Sequence, residues 1–440
     1  MMAMADWVPA RWASSDPQTL PLLKGTGVNC LLVDSRKLTP EFVKRANAQG
    51  VAAVAVVGPG GQAPHGNLGV QAILLEGDFD AVVRASLNQA GVPVIELPSR
   101  QKIRLDSSDS IAGTTQGLWP GIVIEHGGTV MAGPSSNPWI NTNAGFLRFL
   151  RAAMDSVLWL GATPPAGMVI PPERYGIAMA DAAAAGARWI ISLDYDLETR
   201  LLAGDAAALQ DWKRITAYGR YFEEHREWRG YRPFSRMALI QDSASGGLLS
   251  ASLLDLMFAQ HIAARAIPAA RVTPASLSGL QTVIQLASIA PGALDNFERA
   301  GGRLLKPPPD WRFGADAPGA TVPNKQQLRR IQDIWEMLYN ATARKNFGAR
   351  SFNTAGILFH VLSSPGSSAG DQRLLVHLVN YTGYPADTIT VHALGTWKRA
   401  TLYRPEGAPV NLPVYPVSEG TGIDLDKLDV VATLLLEGTP

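Results

Sequence analysis

The chain has 440 residues, 46% of them hydrophobic and 18% charged, with 39 basic side chains against 38 acidic ones. That hydrophobic fraction excludes global disorder, and a formal charge of +1 excludes the electrostatic footprint of a nucleic-acid binder or a polybasic membrane-surface protein. At roughly 150 residues per domain the length implies two to four domains.

A single cysteine, Cys30, leaves no internal disulfide framework and no thiolate-rich metal site. No apolar run approaches the roughly 20 residues of a membrane span. The opening Met1–Trp7 has no basic segment followed by an apolar one. The expectation is a soluble chain, cytoplasmic as it stands, or periplasmic or secreted if a leader has been removed.

The first half alternates short apolar runs with helical patterns. Gly27–Val33 reads as a buried strand ending at Asp34, followed by a helix near Pro40–Gln49 and the strand Val51–Val57. Val70–Leu75 ends at Glu76, Asp80–Ala90 is helical, and Val92–Ile95 ends at Glu96. Ile122–Ile124 ends at Glu125, Ser156–Leu160 is a strand, and Arg188–Leu193 ends at Asp194 after the alanine-rich helix Glu173–Ala185. Apolar strands alternating with helices predict a parallel sheet buried on both faces, here a (β/α)8-type barrel over residues 1–235. Val130–Ala132 follows Glu125 too closely for a parallel crossover, so the barrel is incomplete there or carries a hairpin.

The pattern then restarts. Met237–Gln241 is a strand, Ser250–Ala264 a helix, and Thr282–Leu286 and Gly302–Leu305 further short elements, which gives a flavodoxin-like α/β domain over 236–322. Pro307–Pro323 reads as a linker and Lys325–Thr342 as a helix, making 323–350 a helical connection. Leu374–Asn380, Thr388–Ala393, Lys398–Tyr403 and Val430–Leu436 alternate with period two, which predicts an antiparallel β-sandwich over 351–440.

Three stretches carry a family likeness: Asp242-Ser243-Ala244-Ser245-Gly246-Gly247 after a strand, Arg299-Ala300-Gly301-Gly302-Arg303-Leu304-Leu305, and Val376-His377-Leu378-Val379-Asn380-Tyr381. With the order barrel, α/β domain, β-sandwich, the chain resembles TIM-barrel glycoside hydrolases of the β-galactosidase type found in family 42. Their middle domain looks like a glutamine amidotransferase without its chemistry. The stretches Gly117–Gly121 (GLWPG) and Asn137–Ile140 (NPWI) also resemble uncharacterised bacterial glycosidase-like proteins. The Asn-Glu pair that ends the fourth strand in that glycosidase clan has no counterpart, because Ile95 precedes Glu96. The family's catalytic assignment is therefore not carried over.

Position supplies the candidates instead. Asp34, Glu76, Glu96, Glu125 and Asp194 all follow apolar strands, and residues at the C-terminal ends of barrel strands face the active-site mouth. Glycoside hydrolysis needs two carboxylates across the scissile bond. Glu125 and Asp194 are the leading pair, with Glu96, Glu76 and Asp34 in reserve; the alternative for each is a helix cap or an arginine partner. Trp119 and Trp139 offer stacking platforms, since sugar C–H faces are apolar, and His126, Asn141, Asn143 and Tyr195 offer groups for hydroxyls. Asn141 and Asn143 also suit a helix N-cap.

Other constellations are weak. The seven histidines have no metal-ligand spacing, so neither a metal nor another cofactor is expected. Gly58-Pro59-Gly60-Gly61 lacks the Lys-Ser/Thr of a phosphate loop, and no Gly-x-Ser-x-Gly is present. Cys30 reads as a small buried hydrophobe. The expected function is a glycoside hydrolase acting on an oligo- or polysaccharide. The alternative is a non-catalytic carbohydrate-binding or assembly protein on a lapsed glycosidase scaffold. A carbohydrate is the expected partner, and the middle domain is expected to act as scaffold or oligomer contact.

Overall fold

A computed structural model describes residues 2–61, 68–88, 91–120, 122–126, 129–133, 140–250, 252–307, 325–365 and 372–439, with backbone alone at 86–88, 122–126, 129–133, 327–328 and 439. The protein is a mixed α/β molecule with parallel sheets followed by antiparallel ones.

Five strands, β1 (Pro9–Arg11), β2 (Cys30–Asp34), β3 (Ala52–Val57), β4 (Ala72–Glu76) and β5 (Val94–Leu97), pair in sequence order, all parallel. β6 (Ile111–Thr114) begins a second parallel sheet. The hairpin β7 (Ile122–His126) and β8 (Thr129–Gly133) stands apart from it as an antiparallel pair. β9 (Val157–Gly161) and β10 (Ala187–Ile190) complete that sheet in the order β10-β9-β6. A parallel bridge between Ala10 and Ile191 joins β1 to the end of β10. No backbone ladder joins β5 to β6 among the described residues. There Thr114 Oγ1 donates to the Pro98 carbonyl at 2.6 Å, and Arg100 N donates to Gln116 Oε1 at 3.0 Å.

Alternation assigns the two faces of these strands. Cys30, Leu32, Ala52, Val54, Ala72, Leu74, Ile95, Leu97, Ile111, Trp159 and Ile190 form one inner apolar cluster. The intervening residues, among them Leu31, Val33, Ala53, Ala55, Leu158 and Leu160, pack outward against helices. Those helices are α1 (Pro40–Ala48), α3 (Ala144–Ala153), α4 (Pro172–Ala184), α5 (Tyr195–Leu202) and α6 (Ala206–Glu224), with α2 (Ala81–Asn88) after β4. Cys30 is fully buried, and burial pushes its thiol well above its ordinary range.

The strand reading differs from the structure at two places. The very short β1 and β6 are too brief to show a period, and of the two alternatives for the stretch 122–133 the structure shows the hairpin.

β11 (Arg232–Pro233) leads to a four-stranded parallel sheet of β12 (Met237–Gln241), β13 (Arg265–Pro268), β14 (Thr282–Gln285) and β15 (Arg303–Leu305), in the order β13-β12-β14-β15. α7 (Leu253–Ala259) lies on one face, and α8 (Pro274–Leu277) and α9 (Asp295–Arg299) on the other. β12 alternates accordingly: Met237 and Leu239 join the large core, while Ala238 and Ile240 join the small one.

After α10 (Lys325–Ala341) come β16 (Ala349–Arg350), β17 (Ile357–Ser363), β18 (Gln372–Asn380), β19 (Ala386–Ala393), β20 (Thr396–Tyr403), β21 (Val410–Leu412), β22 (Tyr415–Val417), β23 (Gly420–Leu428) and β24 (Val431–Thr439). They form two antiparallel sheets, β11-β17-β18-β24-β20-β21 and β16-β19-β23-β22. Their inward residues share one core with α4, α6, α7 and α10. No helix among the described residues is long and apolar enough to cross a membrane.

Candidate active site

The C-terminal ends of the parallel strands bring a set of charged side chains together. Arg11 ends β1 and shares a register position with inward-facing Leu32. Glu76 ends β4, two residues beyond inward-facing Leu74. Arg11 Nη2 donates to Glu76 Oε1 at 2.6 Å, an ion pair that spans the two intervening strands. Each partner is about a quarter exposed (24% and 25%), so the pair is neither buried away nor fully solvated.

Asp34, at the end of β2, bonds within its own turn. It accepts from Arg36 N at 3.0 Å and from Arg36 Nη2 at 2.6 Å, and the guanidinium holds its carboxyl down at about 2.

Glu198, on the first turn of α5, is a carboxylate that strand-end reasoning missed. Half-buried, it has a raised pKa, chiefly from burial and also from the charge of Asp194. A backbone hydrogen bond from Ala13 and the charges of Lys37 and Arg11 oppose that rise. Its signal lies in helical spacing: it stands four residues after strand-end Asp194, on the same helix face.

The remaining candidates lie as follows. Glu96 sits between inward-facing Ile95 and Leu97, so it points outward, where Arg84 of α2 meets it at 3.4 Å. Asp194 is 2% exposed and caps α5. Its Oδ1 accepts from Leu197 N at 3.1 Å, and its Oδ2 from Ile170 N at 3.2 Å and Tyr175 Oη at 3.0 Å. Glu125 and His126 lie on β7, with their side chains outside the described residues, as does the whole of Trp139. The hairpin follows β6 in the chain.

Trp119 is half-buried and packs edge-on against Tyr175 and Trp189, each at 5.3 Å, with its Nε1 donating to the Thr163 carbonyl at 3.3 Å. Tyr195, at the start of α5, is 84% exposed. Asn141 and Asn143 are both buried. Asn143 Oδ1 accepts from Arg100 Nη2 at 2.9 Å and Leu118 N at 2.8 Å, while its Nδ2 donates to Asp181 Oδ2 at 2.8 Å and the Leu118 carbonyl at 2.9 Å. That saturates the amide.

Arg11 thus holds Glu76 in an ion pair and also acts through its charge on Glu198, while Asp34 is engaged by Arg36. Among the described residues no cluster of three or more His, Cys, Asp or Glu could hold a metal ion.

No protein-family model and no curated protein matches this chain. Among solved structures, α-L-fucosidase isoenzyme 2 from Paenibacillus thiaminolyticus is similar with a TM-score of 0.62 and 11% identity, over 99% of this chain and 100% of that one. α-Galactosidase I from Mortierella vinacea aligns over 99% of both chains with a TM-score of 0.41 and 9% identity. The fucosidase likeness is one of fold, over the whole length of both chains.

Proposed function

We propose that this chain is a carbohydrate-active enzyme, a glycoside hydrolase whose site is the C-terminal mouth of a (β/α)8-type barrel over residues 1–235. The α/β part at 236–322, the helical connection at 323–350 and the β-sandwich at 351–440 then serve as scaffold. The observation that carries the reading is the Arg11–Glu76 ion pair at the strand ends, with the raised carboxyl of Glu198 within the field of the same arginine. The whole-chain fold likeness to an α-L-fucosidase supports it.

Cleavage of a glycosidic bond asks for one carboxyl that holds a proton and one that does not. Glu198, whose pKa burial raises, gives its proton to the leaving oxygen. Glu76, held by a guanidinium, acts as nucleophile or as base toward water on the opposite side. Asp34 is the reserve carboxylate, and Tyr195 offers its ring to a sugar face. Asp194 positions the start of α5, and so both Tyr195 and Glu198. Glu125 and His126, on the hairpin, and Trp139 remain the residues proposed to border the bound sugar.

A screen of aryl glycosides, including aryl α-L-fucosides and aryl β-galactosides, tests this reading. At least one should be cleaved, and Glu76→Gln and Glu198→Gln should each lower the rate by roughly 10²–10⁴-fold without lowering the unfolding midpoint. One observation favours a second reading. Asp34, Glu76 and Glu96 have arginine partners and Asp194 is a cap, as on a scaffold whose acids serve structure. If oligosaccharides bind at the mouth but none is cleaved, the protein is a non-catalytic carbohydrate binder.

A further inference from the structure

A cavity of about 490 Å³ opens at the other end of the parallel strands, between the starts of β1 and β10, the C-terminal ends of α3, α4 and α6, strand β13 and the antiparallel sheet. Its volume falls in the range of small-molecule sites. Its charge is one-sided: seven arginines line it against two acids, Asp155 and Glu223. Glu223 is already engaged by Arg188 at 2.9 Å and by Arg229.

Arg148, Arg151, Arg232, Arg265 and Arg271 have no carboxylate ion pair among the described residues; Asp155 acts on Arg151 only through its field. Their known hydrogen bonds go to neutral groups. Arg148 Nη2 donates to the Ala184 carbonyl at 2.8 Å and to His360 Nδ1 at 3.2 Å. Arg151 Nη2 donates to the Arg229 carbonyl at 3.3 Å, Arg265 Nη2 to the Ser278 carbonyl at 3.0 Å, and Arg271 Nη1 to the Ala152 carbonyl at 3.1 Å. Arg265 Nε is buried with no partner at all.

A guanidinium carries five donors, and burying one without an anion is costly. Arg148 is only 5% exposed, and burial pulls its pKa down to about 9. Its charge in turn helps hold His360 and His377 neutral. Arginine's planar fork matches phosphate oxygens, and an aromatic wall is at hand: His225 stacks on Trp228 with ring centroids 4.1 Å apart.

We propose that this cavity is a binding site for a phosphate-bearing small molecule, its phosphate held by Arg151, Arg265 and Arg271 and its organic body against the stacked His225–Trp228 pair. The site lies at the opposite end of the strands from the carboxylate mouth and does not depend on the function proposed for it.

Calorimetric titration of the full chain at low ionic strength tests this, with pyrophosphate, glucose 6-phosphate and glucose as probes. Pyrophosphate and glucose 6-phosphate should bind one-to-one, and glucose should not bind at this site. Arg151→Gln, Arg265→Gln and the exposed rim change Arg271→Gln should each weaken binding roughly tenfold or more, as expected for a lost charge-assisted contact. Arg399→Gln, an exposed arginine paired with Glu437 on the antiparallel sheet, should leave binding unchanged. Glu76→Gln should also leave it unchanged.

Binding of pyrophosphate without glucose 6-phosphate would reduce the site to one for free phosphates and overturn the organic part of the proposal. Absence of saturable binding, or an equal loss in Arg399→Gln, would overturn it entirely. So would capture of an acidic peptide in preference to both phosphates, which would make the cavity a protein-docking site.

Discussion

Gly113 on β6 shows how narrowly the inner core is fitted. Its φ is +148°, and a Cβ built there would lie 1.8 Å from the Trp159 carbonyl oxygen on β9, its register partner. Backbone cannot move aside as a flexible side chain can, and Trp159 is fully buried in the inner cluster. Gly113→Ala should cost about 3–5 kcal/mol, the sum of an unfavourable backbone region and overpacking. Urea denaturation checks this, and a loss under about 1 kcal/mol would show that β6 and β9 separate easily. Legibility at this scale is set by parity. The acids at strand ends can be read from the sequence, yet whether each faces the mouth depends on one residue of register. Glu76 and Glu96 both close apolar runs, but only Glu76 continues the inward series; Glu96 falls between Ile95 and Leu97 and meets Arg84 instead. Glu198 was invisible to a search of strand ends because a helix carries it.

Among elements, the join between α3 and α7 depends on one carboxyl. Asp255 closes the capping box of α7, accepting from Ser252 N at 3.1 Å, and also accepts from Gly145 N on the first turn of α3 at 2.7 Å. Burial, with nearby Asp181, lifts its pKa to about 7. An unfolded chain carries this group at about 4, so between about pH 4 and pH 7 the folded chain holds a proton that the unfolded chain has released. Folding stability therefore declines as pH rises through that window and levels off above it. Asp181, also raised by burial, acts in the same direction. Asp255→Asn should flatten part of the decline, by on the order of 1–3 kcal/mol between pH 5 and pH 8. Denaturation curves of both proteins at those two pH values check it; an identical decline in each would remove Asp255 as its source. The elements themselves were legible where they were long: the α4 helix, strands β2 to β5 of the first sheet and the period-two strands near the C-terminus fall where their patterns put them to within a few residues. The three-residue β1 and the four-residue β6 were not, since strands this short show no period, whereas the hairpin at 122–133 was one of two alternatives that the short spacing after Glu125 left open.

At the scale of the molecule, the antiparallel sheets are not an appendage. Their inner residues share a continuous core with Ile177 and Ala180 of α4, Tyr221 of α6, Met257 of α7 and Leu338 of α10. Polar contacts fasten the same junction. Tyr381 Oη donates to Asp181 Oδ1 at 2.5 Å, Tyr221 Oη donates to Thr433 Oγ1 at 2.7 Å, and Arg174 Nη1 donates to the Tyr381 carbonyl at 3.2 Å. Removing residues 349–440 would expose that apolar face and leave Asp181 buried with one donor fewer. The truncated chain 1–348 should therefore lose cooperative unfolding and bind a hydrophobic dye, even though the parallel strands of the candidate active site remain. Tyr381→Phe probes the same junction within a foldable protein and should cost about 1–3 kcal/mol, because a buried acceptor loses its donor. Near-neutral behaviour of Tyr381→Phe, together with a truncated chain that unfolds in one sharp transition, would mean that residues 1–348 fold alone. In that event the antiparallel sheets would have to be reassigned from structural support to a module with a task of its own, such as holding sugar.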